Sequence, residues 1–331
     1  MEKTEGAVET VNLGRSGLKV SRLCLGTMIF GSQLDEPAAF GVLDRAWDLG
    51  IDFFDTADVY PVPNSLETAR RTEEILGRWL SSRSVPAIVA TKCVGRMGPR
   101  PQQSGGSRRH VIEACEASLR RLGRERVDVF YLHNSDLQAP LDETLEALDR
   151  LLAAGKFHYV GLSNFEAWQL GLALEIAAER RLGGVTVLQP RYNLLARTPE
   201  RDLLPLCRAK GIGVVPYNPL GAGMLTGKYQ RGQEPPEGSR FTLGDYGRMY
   251  RQRYWSDRMF DVADAVGEIA RESGHTPAQV ALAWLLAQDG VNAPIVGASR
   301  PEQLEDTVAA VGVELSAGHL DRLDQVSQPF R

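Results

Sequence analysis

The sequence predicts an α/β protein that forms one (β/α)8 TIM barrel. Eight short runs rich in β-branched and aromatic residues alternate with longer amphipathic helical patterns. This alternation is typical of successive βα units around a parallel sheet. The length of 331 residues suits one such barrel, and no Pro/Gly/Ser-rich linker or internal repeat divides the chain. We therefore expect a single domain over residues 1–331.

The predicted elements begin with a β-hairpin over residues 11–21, which has a Gly-containing turn and which we expect to plug the barrel floor. The predicted strands follow at residues 22–25, 52–54, 87–90, 127–132, 159–162, 185–188, 213–216 and 294–296. Between them, Ser107 and Gly123 are start and stop signals of one helix, and Thr276 precedes Pro277 at the first turn of another. Extra helices are expected at the C-terminus.

Two stretches fit the repeating βα unit poorly, and we expect them to be long loops. Residues 60–71 follow the second barrel strand, and residues 229–257 follow the seventh. Long loops in a compact domain are usually functional or disordered. Both would lie at the C-terminal face of the barrel, where active sites of this architecture form.

Composition excludes several classes of protein. A net charge of −4 and a pI near 5.8 argue against binding to nucleic acid. The four cysteines lie far apart, which indicates neither a zinc site nor a disulfide framework, and no metal site is expected. No run approaches the length of a membrane span, and the N-terminus lacks the apolar core of a signal peptide. We expect a soluble, unprocessed, cytoplasmic chain that does not bind a membrane.

Polar side chains stand where predicted strands end, and they supply the chemistry. Asp55, Tyr60, Lys92 and His133 are far apart in sequence, but parallel strands bring their carboxyl ends to one rim. A charged Lys92 beside Tyr60 would stabilise the tyrosinate and lower the pKa of this phenol, while Asp55 would hold Lys92 charged. His133 would hydrogen-bond a carbonyl oxygen. The set supplies a general acid and an electrophilic contact.

Each of these residues also has an ordinary structural interpretation. An Asp at a strand end is most often a turn or cap group, a lone Tyr usually packs on the rim, and a single Lys is usually solvated. Lys92 and His133 are harder to explain in this way, because both follow apolar strand runs where burial of a polar group costs free energy. The four residues together favour a catalytic site.

These residues resemble the catalytic set of the aldo-keto reductase family, and the resemblance runs from the hairpin at Asn12 to about Leu320. It implies a barrel enzyme that reduces a ketone or aldehyde by hydride transfer from NADPH. In this resemblance Asp55, Tyr60, Lys92 and His133 are the catalytic tetrad, and Tyr60 is the proton donor.

The resemblance also implies a set of cofactor contacts. Ser163, Asn164 and Gln189 would hold the nicotinamide carboxamide, Tyr217 would stack on the nicotinamide ring, and Arg240 would be a further contact. The remaining implied contacts as far as the seventh strand are Gly26, Thr27, Met28, Asp55, Asn218, Leu220, Gly221 and Lys228. The glycine-rich loop that contains Gly221 would bind the pyrophosphate, since glycines allow close backbone approach and Lys228 supplies charge. Its ordinary interpretation is a surface turn.

A phosphate site is expected where the eighth strand ends and a helix begins. The implied contacts are Gly297, Ser299, Arg300, Gln303 and Asp306, and in the family a similar segment receives the 2′-phosphate of NADP. The alternative is that Ser299 is a plain helix cap and Arg300 is solvated. We favour NADPH over NADH. Asp306 and Thr307 stand where relatives often carry Glu and Asn against adenine.

Two other functions are alternatives to this enzyme. A Rossmann dehydrogenase would show a G-x-G-x-x-G in its first βαβ unit, which this chain lacks. The second is a cofactor-sensing regulatory subunit that binds a partner protein, as in the potassium-channel β subunits of the same family. The spacing of Ser163, Gln189, Lys228, Ser299 and Gln303 resembles theirs, but those subunits carry Asn at the position of His133. The enzyme is favoured.

The expected substrate is a small-molecule carbonyl compound, and more narrowly a bulky hydroxylated ketone such as a sugar or polyketide intermediate. The two long loops would wall the pocket, and Asn134 and Ser135 follow His133 where the family often has bulkier residues. Six of the 38 basic residues are lysines, and from this arginine bias we expect a role in antibiotic or deoxysugar biosynthesis. Association into a homo-oligomer is a further expectation.

Overall fold

The computed structural model describes residues 8–331, and its strands form the predicted barrel. Residues 1–7 lie outside the described residues. They belong to the predicted domain 1–331, and the prediction that the N-terminus is not a signal peptide falls on them. The strands are β1 (Thr10–Asn12), β2 (Lys19–Ser21), β3 (Cys24–Gly26), β4 (Phe53–Asp55), β5 (Ile88–Cys93), β6 (Val127–Leu132), β7 (Phe157–Ser163), β8 (Val185–Gln189), β9 (Gly213–Val214) and β10 (Ile295–Val296).

The eight parallel strands run in the order β10-β3-β4-β5-β6-β7-β8-β9. Hydrogen bonds then join the last strand to the first: the amide of Ile295 donates to Pro216 O, and that of Asn292 donates to Val214 O, both at 2.8 Å. The ring is therefore closed, which confirms the predicted (β/α)8 barrel and leaves no place for a Rossmann sheet.

Several strand boundaries differ from the prediction for a physical reason. The seventh barrel strand stops at Val214 and does not reach residue 216, since Pro216 has no N–H to contribute to a ladder. The third barrel strand is longer than predicted and extends through Cys93. Lys92 thus lies within a buried strand and not after it, and its side chain is fully buried.

The hairpin of β1 and β2 plugs the floor of the barrel, as predicted. Leu13 and Val20 are fully buried and pack in one cluster with side chains that fill the barrel, including Cys24 and Phe53. Gly14 sits at φ +58°, and a Cβ on it would lie 2.3 Å from Gly213 N. Only glycine allows the hairpin this close to the end of β9.

Helices surround the barrel, and the two predicted from their caps have the expected ends. Ser107 Oγ accepts a hydrogen bond from His110 N at the start of one, which ends at the left-handed Gly123, and Thr276 makes a capping box with Gln279 at the start of another. The helices are α1 (Glu36–Asp48), α2 (Arg71–Arg83), α3 (Arg108–Leu122), α4 (Leu141–Ala153), α5 (Ala167–Arg180), α6 (Leu203–Lys210), α7 (Gly244–Tyr254), α8 (Asp257–Ser273), α9 (Pro277–Leu286), α10 (Glu302–Ala309) and α11 (Ala317–Ser327).

The prediction that residues 229–257 form a loop is wrong, because helix α7 lies within them. Tyr246, Tyr250 and Tyr254 recur every four residues, which is the helical spacing that marks one face, and the latter two are buried. The nearby Pro235 and Pro236 obscured this signal. No helix among residues 8–331 is long and apolar enough to cross a membrane.

Candidate active site

The four predicted catalytic residues meet at the carboxyl end of the barrel. Asp55 ends β4, Lys92 lies in the neighbouring β5, and His133 directly follows β6. The Lys92 ammonium forms an ion pair with Asp55 Oδ1 and donates to Thr56 O at 2.8 Å. Lys92 Nζ lies 5.0 Å from the ring centroid of Tyr60, and the rings of Tyr60 and His133 are 5.8 Å apart at an interplanar angle of 80°.

The charges of Lys92 and Asp55 are held in a buried environment. Burial by itself would lower the pKa of Lys92, but the carboxylate of Asp55 and the neighbouring Tyr60 outweigh it, so the pKa is raised and Lys92 stays an ammonium. Burial raises the pKa of Asp55, and the cation of Lys92 and the hydrogen bond from Gln189 oppose this. The pair places a fixed positive charge beside the phenol of Tyr60.

The pKa of Tyr60 differs from the sequence prediction. Lys92 does act to lower it, as expected, but burial has the larger effect, so the pKa is raised above its usual value of 10.0. The phenol therefore keeps its proton across the physiological range. That state suits a proton donor, because a donor must be protonated when the carbonyl arrives.

Burial and the nearby Lys92 lower the pKa of His133 to about 3. The imidazole is therefore neutral at physiological pH and presents one N–H donor and one acceptor nitrogen. A neutral donor can hydrogen-bond a carbonyl oxygen without adding a second positive charge beside Lys92. At physiological pH the site therefore holds a protonated phenol at Tyr60 and a neutral imidazole at His133.

The residues predicted to bind a carboxamide form a connected network beside the tetrad. Gln189 Nε2 donates to Asp55 Oδ2 at 2.8 Å, and Ser163 Oγ donates to Gln189 O at 3.0 Å. Both side chains are buried. They end β7 and β8, which are paired at this point, so the sheet register itself puts them side by side. The network links these predicted cofactor contacts to the carboxylate of Asp55.

Asn164 connects this network to His133 and to the predicted stacking ring. Its Nδ2 donates to His133 O at 2.9 Å, and its Oδ1 accepts from the hydroxyl of Tyr217 at 2.7 Å. The backbone of Asn164 has φ +57°, a conformation that Asn tolerates better than most residues. Tyr217 is thus fixed in orientation at the end of the seventh barrel strand.

The glycine-rich loop after Tyr217 brings two cations together. Burial and the charge of Arg240 lower the pKa of Lys228, and no carboxylate is among the groups that influence it. Arg240 donates to Asn218 Oδ1 at 3.4 Å. At Gly223, with φ +94°, a Cβ would lie 2.7 Å from Lys228 Cε. Adjacent cations beside an open backbone fit a polyanion such as a pyrophosphate.

The segment after β10 has the predicted helix-start geometry. Gln303 Oε1 accepts from the backbone N of Ser299 at 2.8 Å and lies 3.2 Å from its hydroxyl, and Arg300 is exposed. Gly297 lies beside Arg240, whose Nη2 would be 3.7 Å from a Cβ placed there. The two predicted phosphate regions are therefore neighbours, as one dinucleotide would require.

Asp306 has a different environment from the one predicted. Its carboxylate accepts hydrogen bonds from Thr276 Oγ1 at 2.9 Å and from Gln279 Nε2 at 2.8 Å, at the start of α9. Thr307 Oγ1 donates to Gln303 O, within its own helix, at 2.7 Å. The bonds from Thr276 and Gln279 to Asp306 hold the start of α9 against α10. An adenine contact by Asp306 stays a prediction.

The first barrel strand delivers the remaining predicted contacts to the same rim. Gly26 ends β3, and Thr27 Oγ1 donates to Asp55 O at 2.9 Å. Met28 O accepts from the amide of Val62 at 2.8 Å, which fixes the start of the loop after Tyr60. Leu220 and Gly221 follow Tyr217 in the glycine-rich loop after β9, and β10 separates β9 from β3 in the closed ring.

Sequence reasoning missed Asp58, a second buried carboxyl group behind the tetrad. Neither of its side-chain oxygens has a hydrogen-bond partner within residues 8–331, and burial and the nearby Glu73 raise its pKa well above the usual range. Glu73 is paired, since it accepts from Arg121 Nε at 2.6 Å and from Thr91 Oγ1 at 2.5 Å. The signal was a second Asp three residues after Asp55.

A model of the Aldo/keto reductase family matches residues 22–328. The chain belongs to this family. It is 39% identical to a "Probable voltage-gated potassium channel subunit beta" of Arabidopsis thaliana, with 96% of each chain covered. It is 35% identical to the "L-glyceraldehyde 3-phosphate reductase" of Escherichia coli K12, with 94% of this chain and 90% of the relative covered.

A third relative is the "Versiconal hemiacetal acetate reductase" of Aspergillus parasiticus, 31% identical over 97% of this chain and 98% of the relative. The chain is accordingly an oxidoreductase of the aldo/keto reductase family with general reductase activity. Members of the family generally use NAD(P)H. Among residues 8–331, no group of three or more His, Cys, Asp and Glu side chains is arranged to hold a metal ion.

Proposed function

We propose that the protein reduces a ketone or aldehyde to an alcohol with NADPH, and that Tyr60 donates the proton. The observation that carries this proposal is the convergence of a protonated phenol, a neutral imidazole and a buried ammonium–carboxylate pair on one rim. The network of Ser163, Asn164 and Gln189 adjoins them, since Asn164 bonds both His133 O and the hydroxyl of Tyr217, after which the glycine-rich loop begins.

Each catalytic side chain then has one task. His133 donates a hydrogen bond to the carbonyl oxygen and holds it against the hydroxyl of Tyr60. NADPH, when bound, supplies the hydride that the carbonyl carbon accepts. Negative charge develops on the oxygen as the C–H bond forms, and the proton passes from Tyr60 to this oxygen, which leaves a tyrosinate. The ammonium of Lys92 stabilises the tyrosinate, and Asp55 keeps that ammonium in place.

The residues present fit the nicotinamide, the pyrophosphate and the 2′-phosphate of the cofactor. Tyr217 offers a ring fixed by Asn164, Lys228 and Arg240 supply charge for the pyrophosphate, and the segment at Ser299 offers the start of a helix. Arg300 is exposed beside that segment, and we propose that it binds the 2′-phosphate. This is the support for NADPH over NADH, because NADH has no 2′-phosphate for Arg300 to bind.

The substrate we propose is a bulky hydroxylated ketone, such as a sugar or polyketide intermediate. The support is the pair of long segments over the rim, together with the small Asn134 and Ser135 after His133. A role in antibiotic or deoxysugar biosynthesis rests on the arginine bias alone. A cytoplasmic location and self-association complete the proposal.

The test is NADPH consumption by the purified protein with a panel of aldehydes, keto sugars and aromatic polyketide ketones. We expect oxidation of NADPH with at least one class and a stoichiometric alcohol product. If no member of the panel is reduced while NADPH binds tightly, the enzymatic proposal is wrong.

The second candidate is a cofactor-sensing subunit that binds a partner protein. Its support is the similarity to proteins named as potassium-channel β subunits in Arabidopsis thaliana, rice and fission yeast. His133 favours the enzyme, because it offers the carbonyl oxygen a donor beside Tyr60. Tight NADPH binding without turnover on the panel would favour the subunit.

A further inference from the structure

A buried hydroxyl group inside the barrel, that of Tyr131 in β6, has no part in the catalytic set. Tyr131 is fully buried, and its hydroxyl has no hydrogen-bond partner within residues 8–331. Burial and the charge of Asp55 raise the pKa of this phenol well above its usual value of 10.0, so it keeps its proton across the physiological range. A buried donor without an acceptor costs free energy, and few native groups are left in this state.

Tyr131 lies in the layer of side chains below the network of Ser163 and Gln189. In the sheet register Tyr131 pairs with Lys92 on one side and with Gly161 on the other. Its side chain packs in the cluster of residues that fills the barrel. Alternate residues of a strand face the same side of the sheet, so Gly161 is the inward position directly below Ser163.

Gly161 provides the space for the ring of Tyr131. A Cβ on Gly161 would lie 2.3 Å from Cδ1 of Tyr131 and 2.4 Å from Cε1, so any side chain there would collide with the ring. The ring thus leans from β6 over the backbone of β7. Val187, which pairs with Gly161, is likewise the inward position below Gln189. The phenol is therefore placed beneath the paired ends of β7 and β8, where Ser163 and Gln189 meet.

The side-chain amide of Gln189 has an acceptor that is only weakly used. Its Nε2 donates to Asp55 Oδ2 at 2.8 Å, which leaves Oε1 for another donor. Among residues 8–331, Oε1 accepts from Ser163 Oγ alone, at 3.4 Å, and the one proton of that hydroxyl has a shorter bond to Gln189 O, at 3.0 Å. The hydroxyl of Tyr131 makes no hydrogen bond to Gln189. An unused donor and a weakly used acceptor therefore occupy adjacent layers.

We propose that Tyr131 is a positioning residue for the nicotinamide ring, and that its hydroxyl donates a hydrogen bond to Gln189 Oε1 when the cofactor is bound. In that state the hydroxyl of Ser163 turns from Oε1 towards the carboxamide, and Tyr131 supplies the hydrogen bond that Oε1 has lost. The amide of Gln189 keeps its Nε2 on Asp55 and stays in one orientation. This inference rests on the proposed reduction with a nicotinamide cofactor and adds a residue that acts on the cofactor through Gln189.

The test variant is Tyr131→Phe, which keeps the ring over Gly161 and removes only the hydroxyl. Isothermal titration calorimetry measures the Kd of NADPH, of NADH and of ADP-ribose 2′-phosphate, which lacks the nicotinamide. We expect the Kd to rise roughly 3- to 10-fold for both NADPH and NADH, the range of one buried hydrogen bond. The Kd of ADP-ribose 2′-phosphate should change less than about 2-fold, because Gln189 has no carboxamide to contact in that complex.

Thermal unfolding of the cofactor-free protein separates this role from a structural one. The hydroxyl has no partner there, so Tyr131→Phe should unfold at the temperature of the wild type or up to about 4 °C above it. The matched control is Tyr192→Phe, which removes a hydroxyl that does have a partner, Glu200 Oε1 at 2.8 Å. Tyr192→Phe should lower the midpoint by about 2–4 °C and leave all three Kd values unchanged.

Action through Gln189 is tested in the background of Gln189→Met, which has no amide. In this background Tyr131→Phe should raise the Kd of NADPH by less than about 2-fold, because the acceptor is already absent. A rise as large as in the wild-type background would show that Tyr131 acts on another group, and it would overturn the inference.

The inference is also wrong if Tyr131→Phe leaves the Kd of NADPH unchanged, or if it weakens ADP-ribose 2′-phosphate to the same extent. A midpoint more than about 2 °C below that of the wild type would assign the hydroxyl to the stability of the barrel and overturn the inference as well. If the wild type binds neither NADPH nor NADH, the proposed function itself has failed.

Discussion

Replacing Lys92 by Met removes the cation from a fully buried ion pair and leaves Asp55 without its charged partner. Breaking a buried pair in this way costs about 3–5 kcal/mol, because the remaining charge is both desolvated and uncompensated. The unfolding entropy of a chain of 331 residues is roughly 0.7 kcal/mol per kelvin. We therefore expect Lys92→Met to lower the thermal midpoint by about 4–7 °C.

The assay is thermal unfolding by circular dichroism at pH 7, with the double variant Asp55→Asn/Lys92→Met as the matched control. The double variant removes both charges and keeps an acceptor for Gln189, so it should recover most of the lost stability. A Lys92→Met midpoint within about 1 °C of the wild type would refute this reasoning. So would a double variant less stable than the single one.

Three further predictions concern pH and the cofactor. The pKa of His133 is about 3 and that of Tyr60 is raised above 10.0. The value of kcat/KM for reduction should therefore stay flat from about pH 5 to 9 and fall only at higher pH, as Tyr60 deprotonates. A fall near pH 6.5 would contradict this. Arg300→Ala should weaken NADPH binding roughly tenfold and spare NADH, while the exposed Arg109→Ala should change neither in fluorescence titrations. Lys228→Met should weaken the binding of both NADPH and NADH, because both carry the pyrophosphate. Weaker binding of NADPH alone would place the pyrophosphate elsewhere.

The sequence was sufficient to predict the barrel fold, because the residue patterns that mark its strands and helices are local. Most strands are short runs rich in β-branched or aromatic residues, and the number of such runs limits the architecture. The predicted strand ends were wrong where pairing with the adjacent strand sets the end. Strand β9 stops before Pro216, which has no N–H to donate to the ladder. Strand β5 continues through Lys92, because β6 pairs with it that far.

The site was predictable in position but not in electrostatics. Asp55, Tyr60, Lys92 and His133 could be placed at one rim from topology alone. The raised pKa of Tyr60 was not foreseen, because burial depends on every element packed around the phenol. The helical face that carries Tyr250 was missed because two prolines upstream made the whole segment resemble a loop.

Asp306 shows why a position in a motif does not fix a contact. Its carboxylate could serve a ligand or a neighbouring helix, and the sequence does not distinguish these uses. The hydrogen bonds to Thr276 and Gln279 depend on how α9 and α10 pack, which no local pattern encodes.

The central claim is that Tyr60 delivers the proton during NADPH-dependent carbonyl reduction. The most direct measurement is the turnover of Tyr60→Phe beside the wild type, on whichever carbonyl the panel identifies, with NADPH affinity measured on the same samples. The account predicts a loss of about 10²- to 10⁴-fold in kcat with nearly unchanged NADPH affinity. Turnover close to that of the wild type would contradict it.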